Sequence, residues 1–196
     1  MGTLGDMADV VCVVLAGGTG RRFGGDKTRA ALGRTTVTGA LVESLGPLPV
    51  VVVGPEAAGG PAAALAAALA APDGPLTRAD VVVALAGDQP FAGPAVPRLV
   101  AALAAAPVEP PAGVDAALGV DPGGRRQFLL AAYRAAPLRA ALAAGTDRSV
   151  GRSMRSVVAA LRVTEVPVTA TEALDVDTAE DLERARELGA ALESGP

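Results

Sequence analysis

Residues 10–32 read VVCVVLAGGTGRRFGGDKTRAAL, an apolar run that leads directly into a loop with five glycines. The run Asp9 to Leu15 is rich in β-branched residues and stops at Gly17, a pattern typical of a strand buried on both faces of a parallel sheet. Glycines let the backbone approach an anion closely, and Arg22 and Lys27 add positive charge beside them. We therefore expect this loop to hold a polyphosphate.

The loop contains the only lysine of the chain. Of the 17 basic residues, Lys27 alone is a lysine and the others are arginines. Its place among the glycines indicates a task that suits a compact ammonium charge. The alternative interpretation is an ordinary strand-to-helix turn with solvated charges, but such a turn needs only one or two glycines.

Two better-known glycine loops nearly fit these residues. A dinucleotide-binding fingerprint that starts at Gly18 needs a glycine where Phe23 stands, which argues against a dehydrogenase. A Walker A loop that starts at Gly20 has Asp26 at its lysine position, so Lys27 comes one residue late. That shift would displace the lysine by about 3.5 Å and break the phosphate cradle. A P-loop NTPase therefore remains a minor alternative.

The length and composition predict one soluble domain. A chain of 196 residues with 51% apolar residues can form one large core, and we expect a single domain over residues 1–196 with its core at about 9–192. The longest apolar run, Ala62 to Ala71, is far short of the ~18 residues that cross a bilayer. The first residues, MGTLGDMAD, lack a basic residue and do not resemble a secretory signal. The sequence thus predicts a cytoplasmic protein with no membrane partner.

The charge and the missing residue types argue against several functions. A net charge of -4 and 2% aromatic residues argue against nucleic acid as a partner. Histidine is absent, which removes Ser-His-Asp and Cys-His catalysis as well as histidine metal sites. The single cysteine, Cys12, lies in an apolar run and is expected to be a buried structural thiol. Any chemistry must use carboxylates, cations, backbone amides and a hard metal ion.

Strands and helices alternate along the chain. We expect strands near residues 9–15, 50–53, 81–85, 115–120, 127–133 and 162–168, and helices near residues 36–45, 61–71, 94–105, 135–144, 150–160 and 178–192. This alternation predicts an α/β fold, three-layer and Rossmann-like, with a mostly parallel, doubly wound sheet. Ligands of such sheets bind at the carboxyl ends of the strands. Candidate residues therefore directly follow Leu15, Val53, Leu85 and Val168.

The glycine loop resembles the signature LAGG-x-x-x-R-[MF]-G-x-x-K of nucleotidyltransferases that load nucleotides onto cofactors and sugars. Residues 15–27 read LAGGTGRRFGGDK. Within that superfamily the chain is most similar to the molybdenum cofactor (molybdopterin) guanylyltransferases, MobA-like NTP transferases of the nucleotide-diphospho-sugar transferase fold type, from about Val10 to Leu192. Four further segments carry the resemblance: 60–65 (GPAAAL), 87–91 (GDQPF), the pair 127–134 (QFLLAAYR) and 145–150 (GTDRSV), and 175–182 (DVDTAEDL).

The resemblance implies which residues bind the nucleotide. Three residues would border the base with their backbone groups, and three would hold the phosphates. The first set is Leu15, Ala16 and Gly17, and the second is Gly18, Arg22 and Lys27.

The resemblance also implies a metal site and an acceptor contact. Asp88 and Asp177 would hold Mg²⁺, which prefers carboxylate oxygens and bridges phosphates. The alternatives are an ordinary turn residue for Asp88 and a helix cap for Asp177, where Thr178 already offers one. Arg148 would meet the acceptor's phosphate, with a solvated arginine as the equal alternative.

The activity implied by the resemblance is Mg²⁺-dependent transfer of GMP from GTP to molybdopterin with release of pyrophosphate. Lys27, Arg22 and Asp88 would be the catalytic residues, and contact with molybdopterin-carrying proteins is compatible with this role. In-line attack on the α-phosphorus needs no histidine base, because the acceptor phosphate is already ionised.

The sequence departs from the family pattern at two places. A short strand with an acidic residue that usually follows the second strand is missing after Val53, which leaves Glu56 or the backbone to recognise the base or ribose. The GDQP turn at 87–90 is closer to the cytidylyltransferase branch. A CTP-dependent molybdopterin cytidylyltransferase, a sugar-phosphate nucleotidyltransferase and a nucleotide-binding module without turnover therefore remain alternatives.

Overall fold

A computed structural model of the chain describes residues 9–17, 27–55, 59–108, 113–144 and 152–193. The elements are β1 (Val10–Leu15), β2 (Ala31–Leu32), β3 (Thr35–Thr36), α1 (Val37–Ser44), β4 (Val50–Val53), α2 (Pro61–Ala70), β5 (Val81–Ala86), α3 (Val96–Ala105), β6 (Ala116–Val120), β7 (Arg126–Arg134), α4 (Ala135–Ala143), α5 (Met154–Val158), β8 (Val163–Pro167) and α6 (Ala179–Glu193). Short 3-10 turns cover Lys27–Arg29, Pro75–Thr77 and Gly93–Ala95.

The central sheet has six strands in the order β4-β1-β5-β7-β6-β8. The pairs β4/β1, β1/β5 and β6/β8 are parallel, whereas β7 runs antiparallel to both of its neighbours. A tight turn joins β6 to β7, and Asp121 closes it by accepting from the backbone N–H groups of Gly123 and Arg125. The mostly parallel α/β sheet expected from the sequence is confirmed, with one reversed strand in its middle.

Helices cover both faces of the sheet, so the fold has three layers with the sheet in the middle. Alternate residues of β1 face opposite cores: Val11 and Val13 pack towards α2, α4 and α5, while Cys12 and Val14 pack towards α1 and α3. All four residues are at most 3% exposed, as expected for a strand buried on both faces. Burial raises the pKa of the Cys12 thiol to about 11, which fits a structural role for this residue.

The main differences from the expected elements are local. The strand pair β2/β3 was not predicted, because two residues per strand give no periodic signal. The described part of the helix expected at 150–160 is shorter, since Ser153 caps it and α5 begins at Met154. None of the described helices combines the length and apolar character that a membrane span needs.

Candidate active site

The carboxyl ends of β4, β1 and β5 lie side by side and open into a cleft of about 480 Å³. This volume lies within the range of small-molecule sites. Backbone hydrogen bonds join the strand ends: Ala16 N–H donates to the carbonyl of Val53 at 2.8 Å, and Gly87 N–H donates to the carbonyl of Leu15 at 2.9 Å. The walls come from the ends of these strands, from residues 53–55 and 59–61, and from Leu129 of β7.

Several of the residues expected from the sequence meet at this cleft. Leu15, Gly17, Lys27 and Asp88 line it. Ala16 lies between two of them and uses its backbone N–H to hold β4. Four other residues named from the sequence lie outside the described residues: Gly18, Arg22, Glu56 and Arg148.

Lys27 connects Asp88, which lines the cleft, with Asp177, which is not among the lining residues. Its Nζ donates to Oδ2 of Asp88 at 2.6 Å and also to Oδ1 of Asp177. The lysine side chain is 12% exposed, against 20% for Asp88 and 54% for Asp177. Burial by itself would lower the pKa of Lys27, but hydrogen bonds to Asp177 and Asp88 and their negative charges outweigh burial and raise it. Lys27 is therefore an ammonium ion at neutral pH.

Asp88 has an unused oxygen that fits a metal ion. Its Oδ1 is buried and accepts no hydrogen bond from any described residue. A buried carboxylate oxygen without a partner is costly, and a cation would remove that cost. No cluster of three or more metal-binding side chains occurs in the described part of the chain. Two carboxylates nevertheless suit Mg²⁺, which is usually held by one or two carboxylates together with substrate phosphates.

The segment that carries Asp177 is tied to the turn that carries Asp88. Val176 N–H donates to the carbonyl of Asp88 at 2.9 Å, and the Val176 side chain is fully buried. On the other side of Val176, Asp175 accepts a hydrogen bond from Nε2 of Gln89 at 2.9 Å. Burial, followed by the charge of Asp88, raises the pKa of Asp175. These contacts bring residues from distant parts of the chain to one place.

The cap of α6 leaves the Asp177 carboxylate free to meet Lys27. Thr178 Oγ1 accepts from Asp181 N–H at 3.1 Å, and Asp181 Oδ2 accepts from Thr178 N–H at 2.8 Å. This reciprocal pair is a carboxylate variant of the capping box, and it includes Thr178, the cap named from the sequence. In the structure the cap is thus formed by Thr178 and Asp181, and the side chain of Asp177 points to Lys27.

Sequence reasoning assigned no role to the wall formed by residues 59–61. Gly59 and Gly60 have φ angles of 107° and 84°, and Pro61 then begins α2. Only glycine adopts such angles easily, so the pair sets where α2 starts relative to the cleft. The GPAAAL segment was noticed through its resemblance to a family loop, which was the available signal.

Comparisons with known proteins agree with this geometry. A sequence model of the MobA-like NTP transferase domain matches residues 12–166, which include most of β1, the cleft walls and Asp88. The chain belongs to the MobA-like NTP transferase family. A search of curated proteins finds no match for this MobA-like chain.

Solved structures resemble this MobA-like chain over most of its length. Molybdopterin-guanine dinucleotide biosynthesis protein A from Archaeoglobus fulgidus is 22% identical, with a TM-score of 0.64 over 92% of this chain and 98% of that one. Rv0371c from Mycobacterium tuberculosis is 25% identical, with a TM-score of 0.61 over 91% and 98%. The 2-C-methyl-D-erythritol 4-phosphate cytidylyltransferase from Thermus thermophilus is 19% identical, with a TM-score of 0.66 over 91% and 98%.

The family and the shared fold make this MobA-like chain a nucleotidyltransferase. A nucleoside triphosphate is the expected substrate of this family. A second structure of Rv0371c is a complex with manganese, so this structurally similar protein binds a divalent metal ion. The similar structures include proteins named for guanine dinucleotide synthesis and for cytidylyl transfer, so the fold accommodates either reaction.

Proposed function

We propose that this nucleotidyltransferase moves GMP from GTP to molybdopterin and releases pyrophosphate. The observation that carries the proposal is the contact of Lys27 with both Asp88 and Asp177 at the cleft after β1. One ammonium group and two carboxylates beside a glycine-rich loop suit a triphosphate and its metal ion. The resemblance to molybdenum cofactor guanylyltransferases supports GTP and molybdopterin as the two substrates.

The proposed reaction is an in-line displacement. A phosphate oxygen of molybdopterin attacks the α-phosphorus of GTP, a new P–O bond forms, and the bond to the β-phosphate oxygen breaks with loss of pyrophosphate. The acceptor oxygen is already ionised near pH 7, so this step needs no general base. Alignment of two bound reactants can contribute about 7–11 kcal/mol to lowering the barrier.

In this scheme the chain's own residues stabilise charge on the phosphates, bind the nucleotide and bind the acceptor. Lys27 offsets charge that develops on the α-phosphate oxygens, and Arg22 steadies the leaving pyrophosphate. Leu15, Ala16 and Gly17 border the base, and Gly18 contributes a backbone amide to the phosphates. Arg148 receives the phosphate of the acceptor.

We propose Mg²⁺ as the metal, with Asp88 and Asp177 as its protein ligands. The buried Oδ1 of Asp88, which lacks a described partner, supports this assignment. When bound, the ion would withdraw charge from the phosphate oxygens as a Lewis acid. Lys27 contacts Oδ2 of Asp88 and Oδ1 of Asp177, which leaves Oδ1 of Asp88 for the ion.

A cytidylyltransferase with CTP is the second candidate. The GDQP turn favours it, because this sequence is closer to that branch of the superfamily. Against a direct effect on the base, Gln89 is only 2% exposed and its amide bonds Asp175. Gln89, the variable residue of this turn, therefore contacts the segment that carries Asp177 and is not part of the wall of the cleft.

The test is pyrophosphate release from the purified protein with molybdopterin, Mg²⁺ and either GTP or CTP. We expect turnover with GTP that depends on both molybdopterin and metal. Faster turnover with CTP would favour the second candidate. Nucleotide binding without release of pyrophosphate under any of these conditions would indicate a binding module and contradict both candidates.

A further inference from the structure

A buried amide joins the two segments that carry the proposed metal ligands. Nε2 of Gln89 donates to Oδ1 of Asp175 at 2.9 Å. Gln89 directly follows Asp88 in the sequence, and Asp175 precedes Asp177 by two residues. Neither member of the pair is among the described residues that line the cleft, so neither is placed to touch the nucleotide.

This pairing is maintained at a structural cost. A carboxylate only accepts hydrogen bonds, so the amide must turn Nε2 towards Asp175. The other end of the amide, Oε1 of Gln89, is then buried without a hydrogen bond to any described residue. Asp175 is itself a half-buried carboxylate near the negative charge of Asp88. Such costs are typical of functional sites, where stability is not the only constraint.

The three residues of the 175–177 segment point in different directions. Val176 is fully buried in a small core with Val37 and Leu182, which anchors the segment. Asp175 meets Gln89, and Asp177 meets Lys27. The backbone bond from Val176 N–H to the carbonyl of Asp88 adds a further link. The pair Gln89–Asp175 therefore acts next to a backbone contact that already aligns the two segments.

We infer that Gln89 and Asp175 are positioning residues that set the separation of the Asp88 and Asp177 carboxylates and thereby the affinity for a divalent cation. This inference rests on the proposed function, in which those carboxylates hold the metal ion. Residues that orient metal ligands from behind typically change metal affinity by about 10- to 100-fold when they are replaced. We expect an effect of that size from loss of the amide.

The chain offers a matched control for the first variant. Gln127 is also buried, at 7% exposed, and its Nε2 donates to Oδ2 of Asp121 at 3.0 Å in the β6–β7 turn. Gln89→Leu and Gln127→Leu each remove one buried amide that bonds an aspartate. Binding of Mn²⁺, measured by electron paramagnetic resonance with and without GTP, should weaken about 10- to 100-fold in Gln89→Leu and remain unchanged in Gln127→Leu. Equal effects in the two variants would overturn the inference.

A second comparison separates the hydrogen bond from the charge. Asp175→Asn keeps an oxygen that can accept from Gln89, whereas Asp175→Ala removes it. We expect Asp175→Asn to retain most of the Mn²⁺ affinity and Asp175→Ala to match Gln89→Leu. An equal loss in both Asp175 variants would mean that charge is responsible, which contradicts the positioning role. Thermal unfolding of each variant verifies the fold, and this comparison decides the matter if Gln89→Leu does not fold.

The same measurement distinguishes failure of the inference from failure of the proposed function. If wild type and Asp88→Asn bind Mn²⁺ equally, the proposed metal site is wrong and the positioning role falls with it. If Asp88→Asn loses Mn²⁺ but Gln89→Leu and Asp175→Ala bind it like wild type, the metal site stands and only the positioning role is overturned.

Discussion

The ammonium nitrogen of Lys27 lies 2.6 Å from Oδ2 of Asp88, although 61 residues separate the two in the sequence. Parallel pairing of β1 with β5 explains the contact, because Leu15 is in register with Ala86 and both strands end at the same edge of the sheet. The same ammonium group also bonds Asp177. A positive side chain thus contacts one oxygen of each carboxylate that is proposed to bind a metal ion.

Replacement of Lys27 should separate catalysis from metal binding. In Lys27→Met we expect turnover to fall about 10²- to 10³-fold, because one preorganised charge at the reacting phosphate is lost. Mn²⁺ binding without nucleotide should tighten about 30-fold, because a unit positive charge ~4 Å from a divalent cation in a watery site costs about 2 kcal/mol. Arg29→Met, an exposed cation in the same 3-10 turn, serves as the control. Retained turnover in Lys27→Met would contradict the catalytic assignment.

Replacement of Asp88 should lower the rate of pyrophosphate release more than replacement of Asp177. Asp88→Asn is expected to lower the rate of pyrophosphate release about 10²- to 10³-fold, comparable to loss of a key electrostatic group. Asp177→Asn should have a smaller effect that excess Mg²⁺ partly restores, because this side chain is 54% exposed and Asp88 is 20% exposed. The measurement is the rate as a function of Mg²⁺ concentration. A larger loss in Asp177→Asn than in Asp88→Asn would reverse the proposed order.

Gly60 should be required for the shape of the cleft wall. Its φ and ψ angles of 84° and 178° belong to a region that side chains avoid, so Gly60→Ala should destabilise the fold by about 1–3 kcal/mol. The KM for the nucleotide should rise as well, since this residue lines the cleft. Urea unfolding and initial rates measure the two effects.

Gly74 is the matched control for the backbone argument. A Cβ at either Gly60 or Gly74 would meet no atom within 4 Å, but Gly74 has an ordinary φ of -97°. Gly74→Ala should therefore be neutral or stabilise the fold by about 0.4–1 kcal/mol. If both variants are equally stable, the positive φ of Gly60 has no energetic role.

The ion pair of Asp115 with Arg162 should make stability depend on acid pH. Hydrogen bonds from Arg162 lower the pKa of Asp115 and outweigh the opposing effect of burial. A lowered pKa in the folded state gives stability that is present above the unfolded value of about 3.9 and is lost as pH falls through the folded value. Asp115→Asn should be about 1–3 kcal/mol less stable than wild type at pH 7. In urea unfolding this difference should shrink as pH falls below about 4.

Glu165 provides the control for this prediction. Its pair with Arg126 is half exposed on both sides, so Glu165→Gln should change stability by less than about 1 kcal/mol. An Asp115→Asn variant as stable as Glu165→Gln at pH 7 would contradict this account of the buried Asp115 carboxylate.

Local patterns in the sequence were sufficient for most elements. The run of β-branched residues before Gly17 predicted β1, and Val50–Val53 was predicted with the bounds that β4 has in the structure. The cap offered by Thr178 marked the start of α6. These signals depend on neighbours within about four residues, which is the range over which a sequence pattern can be interpreted.

The site depended on pairings that no local pattern contains. Asp88 directly follows β5, but Asp177 comes ten residues after the end of β8, a strand at the far edge of the sheet. Only the return of the chain, with Val176 buried and bonded to the carbonyl of Asp88, brings Asp177 to Lys27. The Gln89–Asp175 contact was not foreseen for the same reason.

The sequence by itself determined the chemistry available to this protein: a glycine-rich loop with one lysine, carboxylates and no histidine. Only the tertiary structure decided which carboxylates meet the lysine and which amide supports them. The physical reason is that residue type and helix or strand period are encoded locally, whereas the order of strands in the sheet follows from burial of both of its faces at once.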